Sequence, residues 1–553
     1  MFDRNHNLIQ KSSTPNEFIK QATTGVAKSR AVTRTGNGAK TYAATDNVLV
    51  TQFGQTGNYL KPLRSTAEIF KSQEELWRYD PESAMRFTFY LRAVSRHTKY
   101  AGQRYTVAGQ GLRHESIVRM LWVGINHPDV FYPNLPLFAA VGSWRDVFDF
   151  MRYDVMSNGF RDSKLNWGRI ASILKLALSD EDTTNLVRKY IPVQRARSQV
   201  KTQRQAANNI IAKYLVHRFV WFVSDSQMLD YKALRHVKRD GNAHFWQRLI
   251  SQMRFDELDF DHIAGRALAK MVYKSNFLAK HGLTAKYEQW AAKKASKGES
   301  IKHTGYLHEV MCEITTGMPQ YKKDTINGQF QSYLDKVPEM ATSYIVVRDT
   351  SGSMASNIFG YKYSSNDVAK TMALYFAYIL KGPFADHWID FSSTAFLKEW
   401  KGKTPVNRWL NDTSTGYGST NLQSVADLFV RMRKQGVPLT DFPTGVLLIS
   451  DGEFNKVGGK TNFEAFKHNL QGGGFPQEWV DNFTVAIWDI PNTFYGANVR
   501  HYERFESETP NLFYFSGYSL ETMKFLMSGK RPKNSVELAE AALQQDIFDL
   551  IQL

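Results

Sequence analysis

Near residue 340 the spacing of apolar residues changes, and that change limits the folds open to this chain more than any other feature. From about 60 to 335, segments such as SAMRFTFYLRAVSRH, HESIVRMLWVGI, NWGRIASILKLAL and RQAANNIIAKYLVHRFVWFV place apolar residues three and four apart. That spacing predicts amphipathic helices. Asn and Ser residues precede several of them as caps, and short loops such as NHPDVFYPNLP and KYIPV separate them. A succession of helices without strands predicts an α-solenoid or a helical bundle, although no consensus recurs at a fixed period. Beyond 340, strands are expected over Ser343–Val347, His387–Phe391, Gly445–Ile449, Phe483–Trp488 and Leu512–Phe515. Helices are expected between them over Asn366–Leu380, Asn421–Arg433 and Asn462–Asn469, with a last amphipathic helix over Ser535–Leu550. The alternation predicts a parallel, doubly wound, Rossmann-like α/β sheet.

A chain of 553 residues with 36 Phe, 26 Tyr and 12 Trp has ample material for several cores. Its single cysteine, Cys312, excludes an intrachain disulfide and fits a reducing compartment. The opening residues lack an apolar signal region, and the longest apolar run, Met372–Leu380, is far short of the ~18 residues a membrane span needs. A cytoplasmic location, with no membrane partner, is the expectation.

The metal-binding chemistry lies after the first strand. Tyr344–Val347 runs directly into Asp349-Thr-Ser-Gly-Ser353, and ligands of an open α/β sheet sit beyond the carboxyl ends of its strands. Asp349, Ser351 and Ser353 alternate, so their oxygens can converge. One carboxylate and two hydroxyls form a hard-oxygen set suited to Mg²⁺ or another divalent cation. Thr420, in GYGSTN, and Asp451, in LLISDGEF, fall at the same predicted edge. No nucleophile with a general base is apparent, so catalysis is not expected.

The net charge of +17 is unevenly spread. Residues 1–340 carry 50 Lys and Arg against 31 Asp and Glu, a formal +19, whereas residues 341–553 carry 20 against 22, a formal −2. A basic part joined to a neutral one points to a polyanion-binding module. The densest run, Arg188 to Arg239, holds twelve Lys and Arg opposed by only Asp225 and Asp230. Aromatic residues interleave it: Tyr190, Tyr214, Phe219, Trp221, Tyr231 and His236. Cations for phosphates and flat rings for bases are the ingredients of RNA binding. Arg188, Lys189, Arg195, Arg197, Lys201 and Arg204 are the candidate phosphate contacts; a solvated helix face is the competing explanation.

The sequence DTSGSM, then GST, then SDG resembles the metal-ion-dependent adhesion site of von Willebrand factor A domains. The resemblance implies Asp349, Ser351 and Ser353 as first-loop ligands, Thr420 as the second-loop ligand and Asp451 as the third. It also implies an open metal position that a protein partner's carboxylate fills. A wider resemblance, to the TROVE/Ro ribonucleoprotein family, rests on TYAATDNVLV, RFTFYLRAVSRHTKYAGQR, LRHES, GSWRDVFDF and KYIP in the first part. In the second part it rests on VVRDTSGSM, NRWLNDTSTGYGSTNLQSV, LLISDGEFN and VAIWDIP. This chain departs from its relatives in having Ala93 for an acid and a basic insert, Ser95–Lys99. The resemblance implies a multidomain protein with an arm over 1–40, extended or loosely docked. An α-helical, HEAT-like, ring-shaped TROVE domain would follow over 41–338, a von Willebrand factor A domain over 339–532, and a C-terminal helix over 533–553.

The expected function is non-enzymatic binding of small structured or misfolded RNA on the helical part, beside a Mg²⁺-dependent adhesion site. The alternative is a metal-dependent protein-interaction or scaffold protein, of a viral or phage structural kind. A metal-dependent hydrolase ranks below both, because no second shell of carboxylates is apparent.

Overall fold

The computed structural model describes residues 32–34, 40–42, 47–56, 64–94, 96–218, 245–263, 265–337, 344–358, 362–412, 414, 417–458, 461–490, 510–517, 520 and 532–553. Of the arm expected over 1–40, only Val32–Arg34 and Lys40 are among them. There β1 (Val32–Arg34) pairs antiparallel with β2 (Lys40–Tyr42).

The first part is helical, and local chemistry marks where helices begin. Ser65 and Glu68 form a reciprocal capping box before Thr66–Tyr79. Asp80 accepts two backbone N–H bonds ahead of Pro81–Arg92, with proline at the first position where its missing N–H costs nothing. Ser143 and Asn166 cap Trp144–Asn158 and Trp167–Ser179. These helices share one core built from Leu91, Phe131, Phe138, Phe148 and their neighbours.

Two expectations fail here. NHPDVFYPNLP is not a loop: it opens the helix Pro128–Val141, which contains Pro133 and Pro136. Val130, Phe131, Leu135, Leu137 and Phe138 are all buried, and that burial offsets the backbone bonds the two prolines forgo. The helix expected over SAMRFTFYLRAVSRH also stops early, at Arg92. The amides of Gln110, Gly111 and Leu112 return to take the carbonyls of Tyr90, Ala93 and Leu91, at 3.1, 2.7 and 2.7 Å. Between lies an antiparallel hairpin, β3 (Arg96–Tyr100) and β4 (Gln103–Val107). Ala101 (φ 48°) and Gly102 (φ 81°) turn it in a two-residue loop.

The second part is a six-stranded sheet: β5 (Tyr344–Asp349), β6 (His387–Phe391), β7 (Ala395–Glu399), β8 (Gly445–Ser450), β9 (Thr484–Asp489) and β10 (Leu512–Ser516), in the order β10-β9-β8-β5-β6-β7. It is mixed, not wholly parallel: β7 runs antiparallel to β6, and the other pairs are parallel. The central strands are buried on both faces, hence their unbroken apolar runs. Val346, Leu447 and Trp488 face the helix Ser365–Ile379. Ile345, Leu448 and Ile487 face Gln423–Lys434 and Asn462–Gly472. Phe330 of the preceding helix Gln320–Leu334 joins the first of these cores.

The final helix is shorter than expected, Ser535–Leu543, followed by a 3₁₀ turn over Phe548–Leu550. Leu538 packs in the sheet core, but Ala539, Ala542 and Leu543, with Ile547 and Phe548 after the helix, belong to the core of the first helices. Polar bonds close the same junction. The Gln545 side chain exchanges bonds of 2.9 and 3.0 Å with the backbone of Ala108. Arg86 reaches Asp549 at 2.8 Å, and the Asn134 amide pairs with the backbone of Gln552 at 2.6 and 3.0 Å. No helix among the described residues is long and apolar enough to cross a membrane.

Candidate metal centre and basic cavity

Asp349 closes β5, the strand between β8 and β6, so its loop emerges at the carboxyl edge of the sheet. The Thr350 N–H and hydroxyl both donate to the Phe391 carbonyl, at 2.9 and 3.0 Å, which ties the loop to the end of β6. Asp349 accepts from the Ser351 N–H at 2.8 Å and from the Ser450 hydroxyl of β8 at 2.5 Å. The Ser351 and Ser353 hydroxyls are 3.2 Å apart, and Ser353 in turn bonds the Asp451 carboxyl. Asp349, Ser351, Ser353 and Asp451 therefore form one hydrogen-bonded cluster. Thr420 is buried on the adjoining loop. That loop is tied to the Asp451 loop by two bonds with Asn455, at 3.2 and 2.8 Å, and to the β6–β7 turn by the Asn421 N–H on Ser392.

The electrostatics fit a cation. Burial pushes the Asp349 carboxyl up, against the bonds from Ser450 and Ser351. Burial and then the Asp349 charge push Asp451 up, and Glu453, also buried, adds to the repulsion. The neighbouring cation does not relieve them. Arg348 is committed to Asp390, at 2.7 and 3.0 Å, and to Asp412 at 2.8 Å. Among the described residues no cluster of three or more His, Cys, Asp or Glu could hold a metal by those side chains alone. A cation here would rely on hydroxyl oxygens as well, which suits a hard ion that keeps part of its water.

A second feature was not anticipated from sequence. A cavity of about 1100 Å³ is lined by residues of the first part of the chain, joined by Leu520 of the second. The hairpin supplies one wall through Arg96, His97, Lys99 and Tyr100, and Arg266, His303, Tyr306, Tyr333 and Lys336 supply another. Arg96 donates to the carbonyls of Ala140 and Gly142, at 2.7 and 2.8 Å, at the end of a helix. Lys99 pairs with Asp182 at 2.7 Å. His303 is pushed down to about 4 by burial and by Arg266 and Lys336, so it is neutral at pH 7. Apolar surface is exposed to the cavity too: Leu176, on its wall, is 72% exposed. The YAGQ turn and the basic insert Ser95–Lys99 were the available sequence signals for this wall.

The six candidate phosphate contacts sit on different elements. Arg188 and Lys189 are half-buried on the helix Thr184–Tyr190, with the Lys189 ammonium 5.5 Å from the Tyr190 ring centroid. Arg195 and Lys201 are exposed in irregular chain, and Arg204 pairs with Asp149 at 2.9 Å. The Arg197 side chain lies outside the described residues, as do Phe219, Trp221, Tyr231 and His236. Tyr214 packs edge-on against Trp167, at 5.3 Å, as part of the core.

A family model described as a domain of unknown function, DUF7788, matches residues 343–547. No curated protein matches the chain. Among solved structures the chain is similar to the Ro (RSR) protein of Deinococcus radiodurans, at 12% identity and a TM-score of 0.36, over 92% of this chain and 96% of that one. A likeness of that size carries no functional weight.

Proposed function

We propose that this chain is a non-enzymatic RNA-binding protein of Ro type, with a HEAT-like helical part and a von Willebrand factor A-like sheet. Its ligand is single-stranded or structured RNA. The observation that carries this reading is the cavity, where Arg96, Lys99, Arg266 and Lys336 meet Tyr100, Tyr190, Tyr306 and Tyr333. Cations that neutralise phosphates, beside rings on which bases stack, are what single-strand binding uses. The volume of about 1100 Å³ slightly exceeds the ~300–1,000 Å³ of small-molecule pockets. The +19 of residues 1–340 supplies the long-range attraction.

The test is fluorescence anisotropy of a labelled oligoribonucleotide over a salt series, with the full chain and its Lys99→Gln/Lys336→Gln variant. The variant is expected to weaken binding for all sequences alike and to lower the salt slope by roughly 0.7 per lost phosphate contact. Unchanged affinity and slope would sink the reading.

At the sheet edge, Asp349, Ser351, Ser353, Thr420 and Asp451 would hold Mg²⁺ or a similar ion. The ion would supply a fixed positive charge with a position open to a partner's carboxylate. One observation favours a second reading, a metal-dependent interaction or scaffold protein: Tyr417, three residues before Thr420, is 80% exposed at that edge. A chain stabilised by Mg²⁺ but indifferent to RNA would support it.

A further inference from the structure

Four helices of the N-terminal part, Pro81–Arg92, Arg113–Asn126, Trp144–Asn158 and Gln203–Arg218, meet at two buried carboxylates, Asp146 and Asp149. Arg92 and Arg113 bind Asp146, each at 2.6 Å. Asp149 takes Arg113 on one oxygen and both Arg152 and Arg204 on the other, the last at 2.9 Å. Arg145 comes only within 3.9 Å of it. Five guanidiniums thus share two carboxylates.

The cluster is layered. The Arg92 and Arg152 side chains are buried and balance the two charges. Arg113, Arg145 and Arg204, with side chains 27, 44 and 48% exposed, form an outer layer that shares the same two acids and brings no third. Burial and then the Arg113 charge hold Arg145 below its usual range, and Arg204 adds to that repulsion. Helix packing accounts for the inner layer, because a buried carboxylate needs partners. It does not account for Arg145, which adds repulsion and, among the described residues, makes no side-chain hydrogen bond.

We propose that Arg113, Arg145 and Arg204 form a site for a phosphoryl anion. Guanidinium forks match phosphate oxygens two at a time, and several forks converging from separate helices favour a compact, multiply charged group over a carboxylate. The group is an RNA phosphodiester or a terminal or free phosphate. The RNA source rests on the proposed function; the phosphoryl site does not. The network also reaches the cavity: Gly142, on its wall, leaves no room for a Cβ beside the Arg92–Asp146 pair.

The experiment uses the full chain and the variants Arg145→Gln and Arg204→Gln. Thermal melts are recorded with inorganic phosphate against chloride at constant ionic strength. Phosphate is expected to raise the wild-type melting temperature. Arg145→Gln is expected to melt close to the wild type in chloride, because it gives up only the long 3.9 Å approach to Asp149 and no hydrogen bond, yet to need about tenfold more phosphate for the same shift. Arg204→Gln gives an independent reading from another helix. Wild type indifferent to phosphate, or both variants responding like wild type, overturns the site; so does an Arg145→Gln that melts markedly lower in chloride, which would make the cluster structural.

Anisotropy with oligouridylate, with and without a 5′-phosphate, then identifies the source. Equal weakening of both probes by Arg145→Gln supports a phosphodiester, and weakening of only the phosphorylated probe supports a terminal phosphate. A lost phosphate response with unchanged RNA binding supports a free phosphate. Wild type that responds to phosphate but binds neither probe supports the site while removing the RNA reading.

Discussion

Burial, and for Asp451 also the Asp349 charge, raises the Asp349 and Asp451 carboxyls above their ordinary range. The sign of the pH effect follows. Their unfolded value is about 4, so the folded chain holds their protons more tightly. The stability this gives is present below about pH 4 and is lost as pH rises through the folded values. A cation must displace those protons, so its affinity climbs over the same window. The rise in melting temperature with Mg²⁺ is therefore expected to be larger at pH 8 than at pH 5 and absent in Asp349→Ala. Equal shifts at both pH values, or in the mutant, would falsify the metal assignment. Asp451→Asn is expected to raise the ion-free melting temperature by about 2–4 °C per kcal/mol of repulsion relieved, while losing the Mg²⁺ response. Arg348 makes the opposite case. Arg348→Met leaves Asp390 and Asp412 buried with only Lys398 and Lys370 beside them, at 3.1 and 3.5 Å, and about 3 kcal/mol of stability is expected to go, read by denaturant melts. The nearness of Asp349, Ser351, Ser353 and Asp451 could be read from sequence because each follows a strand at one sheet edge. The commitment of Arg348 could not, because its partners lie 42 and 64 residues away.

Elements were legible where their signal is local. The apolar runs of β5, β8, β9 and β10 and the capped helices fall within a few residues of expectation. The misses share a cause. Nothing in SAMRFTFYLRAVSRH ends a helix at Arg92; the amides that end it arrive from Gln110–Leu112. β7 is an edge strand on which the adjacent Phe396 and Leu397, on opposite faces, are both exposed, so it lacks an alternating burial pattern. Two glycines of the hairpin region separate the effects that shape it. A Cβ at Gly109 would stand 2.2 Å from the Tyr90 carbonyl oxygen, whereas at Gly102 it meets nothing within 4 Å. Gly102→Ala is expected to cost about 1–2 kcal/mol, the left-handed backbone penalty alone. Gly109→Ala should cost clearly more, because backbone must move. Equal melting temperatures for the two variants would count against this account of the junction.

At the scale of the molecule, an apolar stripe on Ser535–Leu550 announces a partner surface but does not say which one. That surface proves to be the core of the first helices, where Phe548 meets Phe89 edge-on at 6.2 Å. Phe548→Ala is expected to cost about 3–5 kcal/mol and to speed hydrogen exchange in Pro81–Arg92 and Pro128–Val141 while sparing β8 and β9. Faster exchange confined to the sheet would refute the role given to this tail. The same junction governs how the chain can come to be folded at all. The bonds of Arg86, Ala108 and Asn134 to the tail span 418 to 463 residues, so they cannot form during synthesis until Ser535–Gln552 has left the ribosome. Until then the helical core, translated first, waits with an apolar cleft open to water. At ~5–20 residues per second that wait lasts roughly 20 to 90 seconds, long enough for a nascent chain to aggregate or recruit a chaperone. Order of synthesis and order of completion thus run in opposite directions in this protein.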